Sequence, residues 1–104
     1  MEYIRSPMAI RLNVEKLKQA AKVLKCIAHT DRLRLVECLE GKEFSVSDLV
    51  AKLGLSQAVV SKHLSILKRG GIVQGKVQKN YRYYSISYPN VLNVLDCLRK
   101  HGRK

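Results

Sequence analysis

Polar side chains suited to DNA contact gather at the start of one predicted helix. Gln57, Ser61 and Lys62 lie within about one and a half turns of each other, after the helix-capping residue Ser56. Glutamine can hydrogen-bond an adenine through two atoms, and the free N–H groups at a helix N-terminus favour a phosphate. These residue types at this spacing predict a helix that lies in the major groove of DNA.

A predicted hairpin downstream adds basic side chains near its tip, where Lys79 and Arg82 could enter a minor groove or bind phosphate. Strand alternation is expected to place Lys79, Tyr81 and Tyr83 towards one face and Arg82 on the other. The predicted DNA-contacting residues are Ser56, Gln57, Ala58, Ser61, Lys62, His63, Lys79 and Arg82. Each of these assignments has a structural alternative. Ser56 could be a helix cap only, His63 could be a hydrogen-bonded residue of the helix surface, and the hairpin could serve solubility alone.

The overall charge favours a polyanionic partner. The chain has 104 residues, of which 20 are Lys or Arg and 8 are Asp or Glu, for a formal net charge of +12. Nucleic acid or an anionic membrane surface would suit that charge. No apolar run approaches the ~20 residues that span a bilayer. The apolar patch at residues 8–10 is too short for a signal peptide. Nucleic acid is therefore the expected partner, with no membrane contact.

The cysteines indicate the cellular compartment of the protein, and the absence of a catalytic set of residues indicates its functional class. Three cysteines without disulfide-like spacing fit reduced thiols in the cytoplasm. No nucleophile with a base, glycine-rich phosphate loop or paired carboxylates can be assembled, so an enzyme is not expected. Two alternatives are an RNA-binding protein, disfavoured because the hairpin lacks stacking platforms, and a protein-interaction module that meets an acidic partner.

Apolar periodicity and capping residues predict five helices and one hairpin. The predicted helix N-caps are Asn13, Thr30, Ser45 or Ser47, and Ser56, and the predicted helix ends are Ala28, Gly41, Gly54 and Gly70-Gly71. Phe44 is expected to plug the core from the connection before the third helix. Strands are predicted over residues 72–77 and 81–86, with Asn80 taking a positive φ in the turn between them. Pro89 is expected early in the last helix.

The order α-α-α-α-β-β-α predicts a mainly α fold with a β-hairpin wing, the winged helix-turn-helix. The predicted divisions are a lead segment at 1–12, a DNA-binding and dimerisation domain at 13–101, and a basic tail at 102–104. The first and last helices carry more apolar surface than so small a domain covers alone, and two-fold dimers are the commonest oligomers. The predicted dimer-interface residues are Leu17, Ala21, Leu24, Val91, Leu95 and Leu98.

Several spaced motifs resemble the ArsR/SmtB family. They are LKCIAHTDRLRL at residues 24–35, SVSDL at 45–49, LSQAVVSKHL at 55–64 and YYSI at 83–86. In that order they resemble the family's opening motif, third-helix start, recognition helix and returning wing strand. The likeness runs from about residue 17 to residue 98. It implies a homodimeric winged-helix transcription regulator that binds a double-stranded operator with two-fold symmetry. Occlusion of a promoter by a small dimer favours a repressor, and an activator remains the alternative. No cofactor is expected.

The same resemblance implies sensor sites from which these residues depart. Where arsenic- and cadmium-responsive members hold thiols, this chain has Ser45 and Ser47, and serine hydroxyls are poor ligands for soft metals. The positions of the zinc type fall on Tyr88, Asn90, His101 and Lys104. Only the histidine among these can ligate, and a zinc site needs more. The persulfide-sensing positions fall on Glu37 and Arg103, so that type is not expected either.

Cys38, Cys97 and His101 remain an alternative effector site. Cys97 and His101 share a face of the last helix, so two such pairs across a dimer could assemble a Cys₂His₂ site. The other interpretation is that each cysteine, Cys26 included, is a small apolar residue of the core. We expect no known metal site of the family to operate, and we assign no metal ligand.

Overall fold

The computed structural model describes residues 13–101, so the predicted lead segment 1–12 and tail 102–104 lie outside it. Helices and strands follow in the order α1 (Val14–Ile27), α2 (Thr30–Cys38), β1 (Phe44–Ser45), α3 (Val46–Leu53), α4 (Gln57–Arg69), β2 (Val73–Gln78), β3 (Tyr81–Ile86) and α5 (Val91–His101). The predicted mainly α fold with a hairpin wing is confirmed. In this range no helix is both long and apolar enough to cross a bilayer.

Local signals fix the α3–turn–α4 unit as the sequence predicts. The Ser45 hydroxyl accepts the Asp48 N–H, and the Asp48 carboxylate accepts the Ser45 N–H, which makes a capping box. These hydrogen bonds from Ser45 lower the pKa of Asp48. Gly54 ends α3 with φ of 69°, a conformation in which a side chain would be strained. Ser56 then caps α4 by accepting the Val59 N–H at 3.1 Å.

Strand β1 is an element that the sequence did not predict. Phe44 and Ser45 pair antiparallel with Tyr84 and Tyr83, so the sheet order is β1-β3-β2. Phe44 is therefore strand rather than connection, and it is half-buried against the core. The Lys52 ammonium lies 4.8 Å from the centroid of its ring. A two-residue strand carries no alternation, and only its distant partner makes it a strand.

The hairpin turn differs from the predicted one. The register Gln78↔Tyr81 leaves two turn residues, Lys79 and Asn80, and β2 covers Val73–Gln78 rather than residues 72–77. Positive φ (58°) falls on Lys79, not on Asn80 as predicted. A two-residue hairpin turn needs a left-handed first residue to match the strand twist, which explains the difference.

Three predicted helix boundaries also shift. His29, not Thr30, caps α2, since its Nδ1 accepts the Asp31 N–H at 3.0 Å. The end of α2 comes at Cys38, and Gly41, with φ of 69°, lies in the turn beyond it. Pro89 lies in the turn before α5 rather than inside the helix. Imidazole is a less common cap than hydroxyl, so the sequence favoured the threonine.

One core beneath these elements supports the outer surface of α4. Its apolar members come from each helix, from β2 and from the turns: Ile27, Leu35, Val36, Leu39, Leu49, Val60, Leu64, Leu67, Ile72, Val73, Val91 and Leu95. In α4, Val60, Leu64 and Leu67 lie at i, i+4 and i+7, and all three are buried in this core. Tyr84 of β3 packs against this core.

Candidate nucleic-acid interface

The outer face of α4 is free of the core and polar. Beyond the cap, Gln57, Ala58, Ser61 and Lys62 are all exposed, while the opposite side of the helix is buried. No acidic residue lies in the first turn of α4. Free N–H groups and the helix dipole therefore make this end favourable for a phosphate. The structure thus presents these four predicted contacts together on one surface.

His63 does not belong to that surface, and the prediction that it contacts DNA is wrong for this fold. Its side chain is 5% exposed and points inward, with Nδ1 3.1 Å from an Arg32 Nη1 on α2. Its ring centroid lies 4.4 Å from that of His29. The spacing Val60, His63, Leu64 continues the buried stripe at i, i+3 and i+4, and that signal could have identified it.

Two arginines of α2 hold both helices of the helix-turn-helix. Arg34 donates to the Leu53 carbonyl, at the end of α3, at 2.9 Å and to Asp31 at 3.3 Å. Arg32 reaches His63 on α4, as described above. A last-turn carbonyl of α3 and a buried imidazole of α4 are thereby satisfied by cationic donors. The orientation of α4 therefore depends on α2 as well as on the turn.

The hairpin holds its basic side chains in a defined arrangement. Strand register and the 6.4 Å separation of the Tyr81 and Tyr83 rings confirm that these tyrosines share a face, with Arg82 on the other. Arg82 lies over Gly75: a Cβ added to the glycine would come within 3.1 Å of Arg82 Cδ. Gly75 therefore provides the space along which the arginine stem extends. Lys79 and Arg82 are both exposed.

Exposed apolar residues remain on two helices, and we call them together the apolar stripe: Val14, Leu17, Ala21 and Leu24 on α1, and Leu98 on α5. All are exposed, and Leu17, Leu24 and Leu98 are each at least half exposed, at 51%, 53% and 51%. Two members of the predicted dimer interface do not belong to it. Val91 and Leu95 are 1% and 6% exposed and pack inside the single chain. Periodicity on α5 identified an apolar face but could not tell which part the chain covers itself.

Comparison with known proteins identifies the family. Residues 29–74 match the family described as bacterial regulatory protein, arsR family. The transcriptional activator HlyU of Vibrio cholerae is 30% identical over 101 residues, which cover 96% of this chain and 94% of that protein. This chain belongs to the ArsR family. It is a DNA-binding transcriptional regulator, and the family's regulators are not enzymes. The predicted family and class are confirmed.

Relatives and solved structures agree with that placement. The ArsR-family chain is 34% identical to the nodulation protein NolR of Rhizobium meliloti, over 94% of this chain and 80% of that one. The transcriptional repressor BigR of Xylella fastidiosa superposes with a TM-score of 0.80 at 27% identity, covering 86% of this chain and 92% of that one. HlyU of Vibrio cholerae gives 0.78 at 30% identity, covering 85% and 96%.

In this ArsR-family chain, ion pairs connect α2 to α5 at the position where the persulfide-sensing type places a thiol. Arg99 donates to Glu40 at 2.8 Å and lies 3.5 Å from Glu37 and 3.0 Å from Asp96. The hydrogen bond from Arg99 lowers the pKa of Glu40. The carboxylate of Glu37 therefore lies where the resemblance would place a thiol, and it pairs electrostatically with the last helix. The other predicted position, Arg103, lies outside the described residues.

The cysteines do not share one environment. Cys26 and Cys38 are half-buried against the core, and burial raises the pKa of the Cys26 thiol, which lies 3.6 Å from the Ile66 carbonyl. Cys97 is exposed on α5, so the interpretation of it as a core residue is wrong. The side chain of His101, its predicted partner, lies outside the described part. Cys38, the third residue of the alternative effector site, packs against the core cluster that includes Val36 and Leu39.

Among the described side chains, one further group of residues with metal-ligand chemistry lies close together. His29, Asp31 and His63 place ligand atoms within 4.8 Å of one another. The sequence did not predict this cluster, because its members come from the start of α2 and from α4. His29 and His63 both lie in stretches that resemble the family motifs. That resemblance was the one feature of the sequence that connected the two histidines.

Proposed function

We propose that this regulator acts in the cytoplasm as a homodimeric repressor on a double-stranded operator with two-fold symmetry. In each protomer α4 lies in a major groove, and the hairpin contacts the adjacent minor groove or backbone. One observation carries the proposal: the exposed face of α4 holds Gln57, Ser61 and Lys62, while Val60, Leu64 and Leu67 of the same helix are buried. Repression needs only that the bound dimer occlude a promoter.

The apolar stripe supports the dimer. It lies on α1 and α5, apart from the DNA-contacting face of α4, so both surfaces can be used at once. A homodimeric winged helix-turn-helix domain of Mycobacterium bovis, Mb0332, has the same fold, with a TM-score of 0.74 at 24% identity. Pairing two copies across this stripe would give the two-fold arrangement that a palindromic operator mirrors. We place the dimer interface at Leu17, Ala21, Leu24 and Leu98.

The proposed contact set is Ser56, Gln57, Ala58, Ser61, Lys62, Lys79 and Arg82. Gln57 is positioned to contact a base, and Lys62, Lys79 and Arg82 supply charge to phosphates or to the minor groove. No member of the set belongs to the buried core. Ser56 keeps its cap role, because its hydroxyl is already bound to the Val59 N–H.

Two substitutions separate base contact from phosphate contact. Gln57→Ala is expected to cost about 1–3 kcal/mol of binding at the specific site and to relax the preference for adenine. Lys62→Ala is expected to weaken binding to all sequences and to lower the salt slope by about 1 per protomer. Gel shifts with the DNA upstream of its own gene, against a scrambled duplex, measure both effects.

Matched controls come from α5, which lies away from the proposed contacts. Asn93→Ala and Lys100→Ala remove an exposed amide and an exposed ammonium, and neither is expected to change binding. Equal losses for Lys62→Ala and Lys100→Ala would show that charge alone matters and would contradict the placement of α4. Unchanged binding by Gln57→Ala together with Lys62→Ala would reject the proposed interface.

A further inference from the structure

One guanidinium connects α1, α2 and α4. Arg32, near the start of α2, donates through Nε to the Cys26 carbonyl at 2.6 Å and through Nη1 to Nδ1 of His63, 3.1 Å away. Arginine has no lone pair to offer, so Nδ1 of His63 must be the acceptor. His63 is therefore neutral in this arrangement, with its proton on Nε2. A protonated His63 would turn two donors towards each other.

The neighbouring histidine is held in the same tautomer. Nδ1 of His29 accepts the Asp31 N–H at 3.0 Å, which fixes the cap of α2. The His29 and His63 rings lie 4.4 Å apart between centroids and are tilted by 47°. Protonation of His29 would remove this cap and place a second charge beside His63. The contact between the start of α2 and the middle of α4 thus depends on two neutral imidazoles.

A metal ion fits this cluster poorly, although His29, Asp31 and His63 offer ligand atoms within 4.8 Å. Both Nδ1 lone pairs already accept hydrogen bonds. Binding through Nε2 would move each proton to Nδ1 and break both bonds. The Arg32 cation would also lie next to the ion. These contacts favour a group that responds to protons.

We propose that Arg32 and His63 are positioning residues for α4, and that the regulator releases its operator when His63 is protonated. This inference rests on the proposed function, since it concerns the helix assigned to the major groove. His63 is buried, and the half-buried Arg32 donates to the Cys26 carbonyl and to His63, so we assign neither to the DNA-contacting face. They act through the orientation of α4, which carries Gln57 and Lys62 on its exposed face.

The surroundings set the direction of the response. Burial lowers the pKa of His63 below its ordinary value, with further lowering by His29, Arg32 and Lys62, while Asp31 raises it. On the α1 side the Cys26 thiol has a raised pKa, so it adds no charge. The unfolded chain binds a proton at His63 near pH 6.5, and the folded chain resists it to lower pH. The stabilising contribution is therefore complete above about pH 6.5 and is lost as the pH falls through the folded pKa.

The pH profile of binding distinguishes this mechanism from general electrostatics. Protonating any exposed histidine adds positive charge, which should strengthen DNA binding as the pH falls. The proposed loss of α4 positioning acts in the opposite direction. Between about pH 7.5 and about pH 5, wild-type affinity for the DNA upstream of its own gene is expected to fall. EDTA is present throughout.

Matched variants assign the effect. His63→Asn offers an amide oxygen to Arg32 and does not titrate, so it should bind like wild type at neutral pH with a nearly flat profile. His63→Leu removes the acceptor and should lose affinity at every pH. His29→Asn keeps a strong capping residue and removes the second imidazole, so most of the pH dependence should persist. Circular dichroism on each sample identifies loss of fold.

Nuclear magnetic resonance of the imidazole nitrogens gives a readout that does not involve DNA. Nδ1 of His63 should be unprotonated and Nε2 protonated at neutral pH, with titration below about pH 6.5. A His63→Asn profile as steep as wild type, His63→Leu binding equal to wild type, or a zinc-dependent release that EDTA reverses would each overturn the proposal. Wild-type protein that binds no DNA would instead reject the proposed function, while the spectra would still test the contact.

Discussion

Raising the salt concentration from about 50 to about 200 mM is expected to weaken operator binding by about 10³–10⁵-fold. Each chain carries a formal net charge of +12, so the dimer carries twice that. Lys62, Lys79, Arg82 and the N-terminus of α4 in both protomers are together expected to neutralise about 6–10 phosphates. Each neutralised phosphate releases condensed counterions, and added salt opposes that release.

Fluorescence anisotropy with a labelled operator duplex, repeated across salt concentrations, gives this slope directly. A scrambled duplex should show a similar slope from a weaker starting affinity, because phosphate contacts carry no sequence information. Added salt also screens the exposed Arg99 ion pairs, so circular dichroism should accompany each titration. An affinity that does not change with salt would contradict the proposed phosphate contacts.

Placing a charge in the apolar stripe is expected to have the second large effect. Leu17→Asp would bring two carboxylates together at the two-fold interface and should yield a monomer of 11.8 kDa. A monomer binds only one half-site, so operator affinity should fall by about 10²–10⁴-fold. Sedimentation velocity measures the mass, and anisotropy with the intact operator measures the affinity.

The matched control is Gln19→Asp, an exposed position on α1 about 200° around the helix from Leu17. It adds the same charge outside the stripe and should leave both mass and affinity close to wild type. A Leu17→Asp protein that still sediments as a dimer at the same concentration would show that α1 does not form the interface. A monomer with undiminished affinity would instead contradict the two-site model.

The sequence predicted what local physical chemistry determines. Ser45, Gly54 and Ser56 fix the helix-turn-helix through a capping box, a left-handed residue and a second cap, each within a few residues of the chain. The buried stripe of α4 followed from its helical period. The outer face of α4 was therefore predictable as well, since it is what that stripe leaves exposed.

The structure differs from the sequence-based predictions where contacts between distant parts of the chain determine the local structure. Strand β1 exists only through pairing with β3. The helical period of α4 includes His63 in the buried stripe, but only the fold shows that Arg32 of α2 is its partner. Val91 and Leu95 share the apolar face of α5 with Leu98, but α2 and the core cover only the first two. Hydrophobic periodicity indicates that a helix face is apolar. It does not indicate whether the same chain or a second copy buries that face.

The family's sensor positions have other roles in the described part of this chain. Ser45 closes a capping box, and Glu37 forms an ion pair with Arg99 between α2 and α5. Both roles are electrostatic rather than thiol-based. The Arg32–His63 contact adds a proton-dependent connection from α2 to α4, so α2 contacts the helices assigned to dimerisation and to DNA contact.

Selection of bound sequences from random double-stranded DNA by the purified full chain tests the central claim most directly. The proposed interface predicts an inverted repeat whose half-site centres lie one helical turn, about 10–10.5 base pairs, or a multiple of that apart. Gln57→Ala should relax the preference at one adenine in each half-site. Recovery of unselected sequence, or of a single site without two-fold symmetry, would contradict a homodimer that contacts its operator through α4.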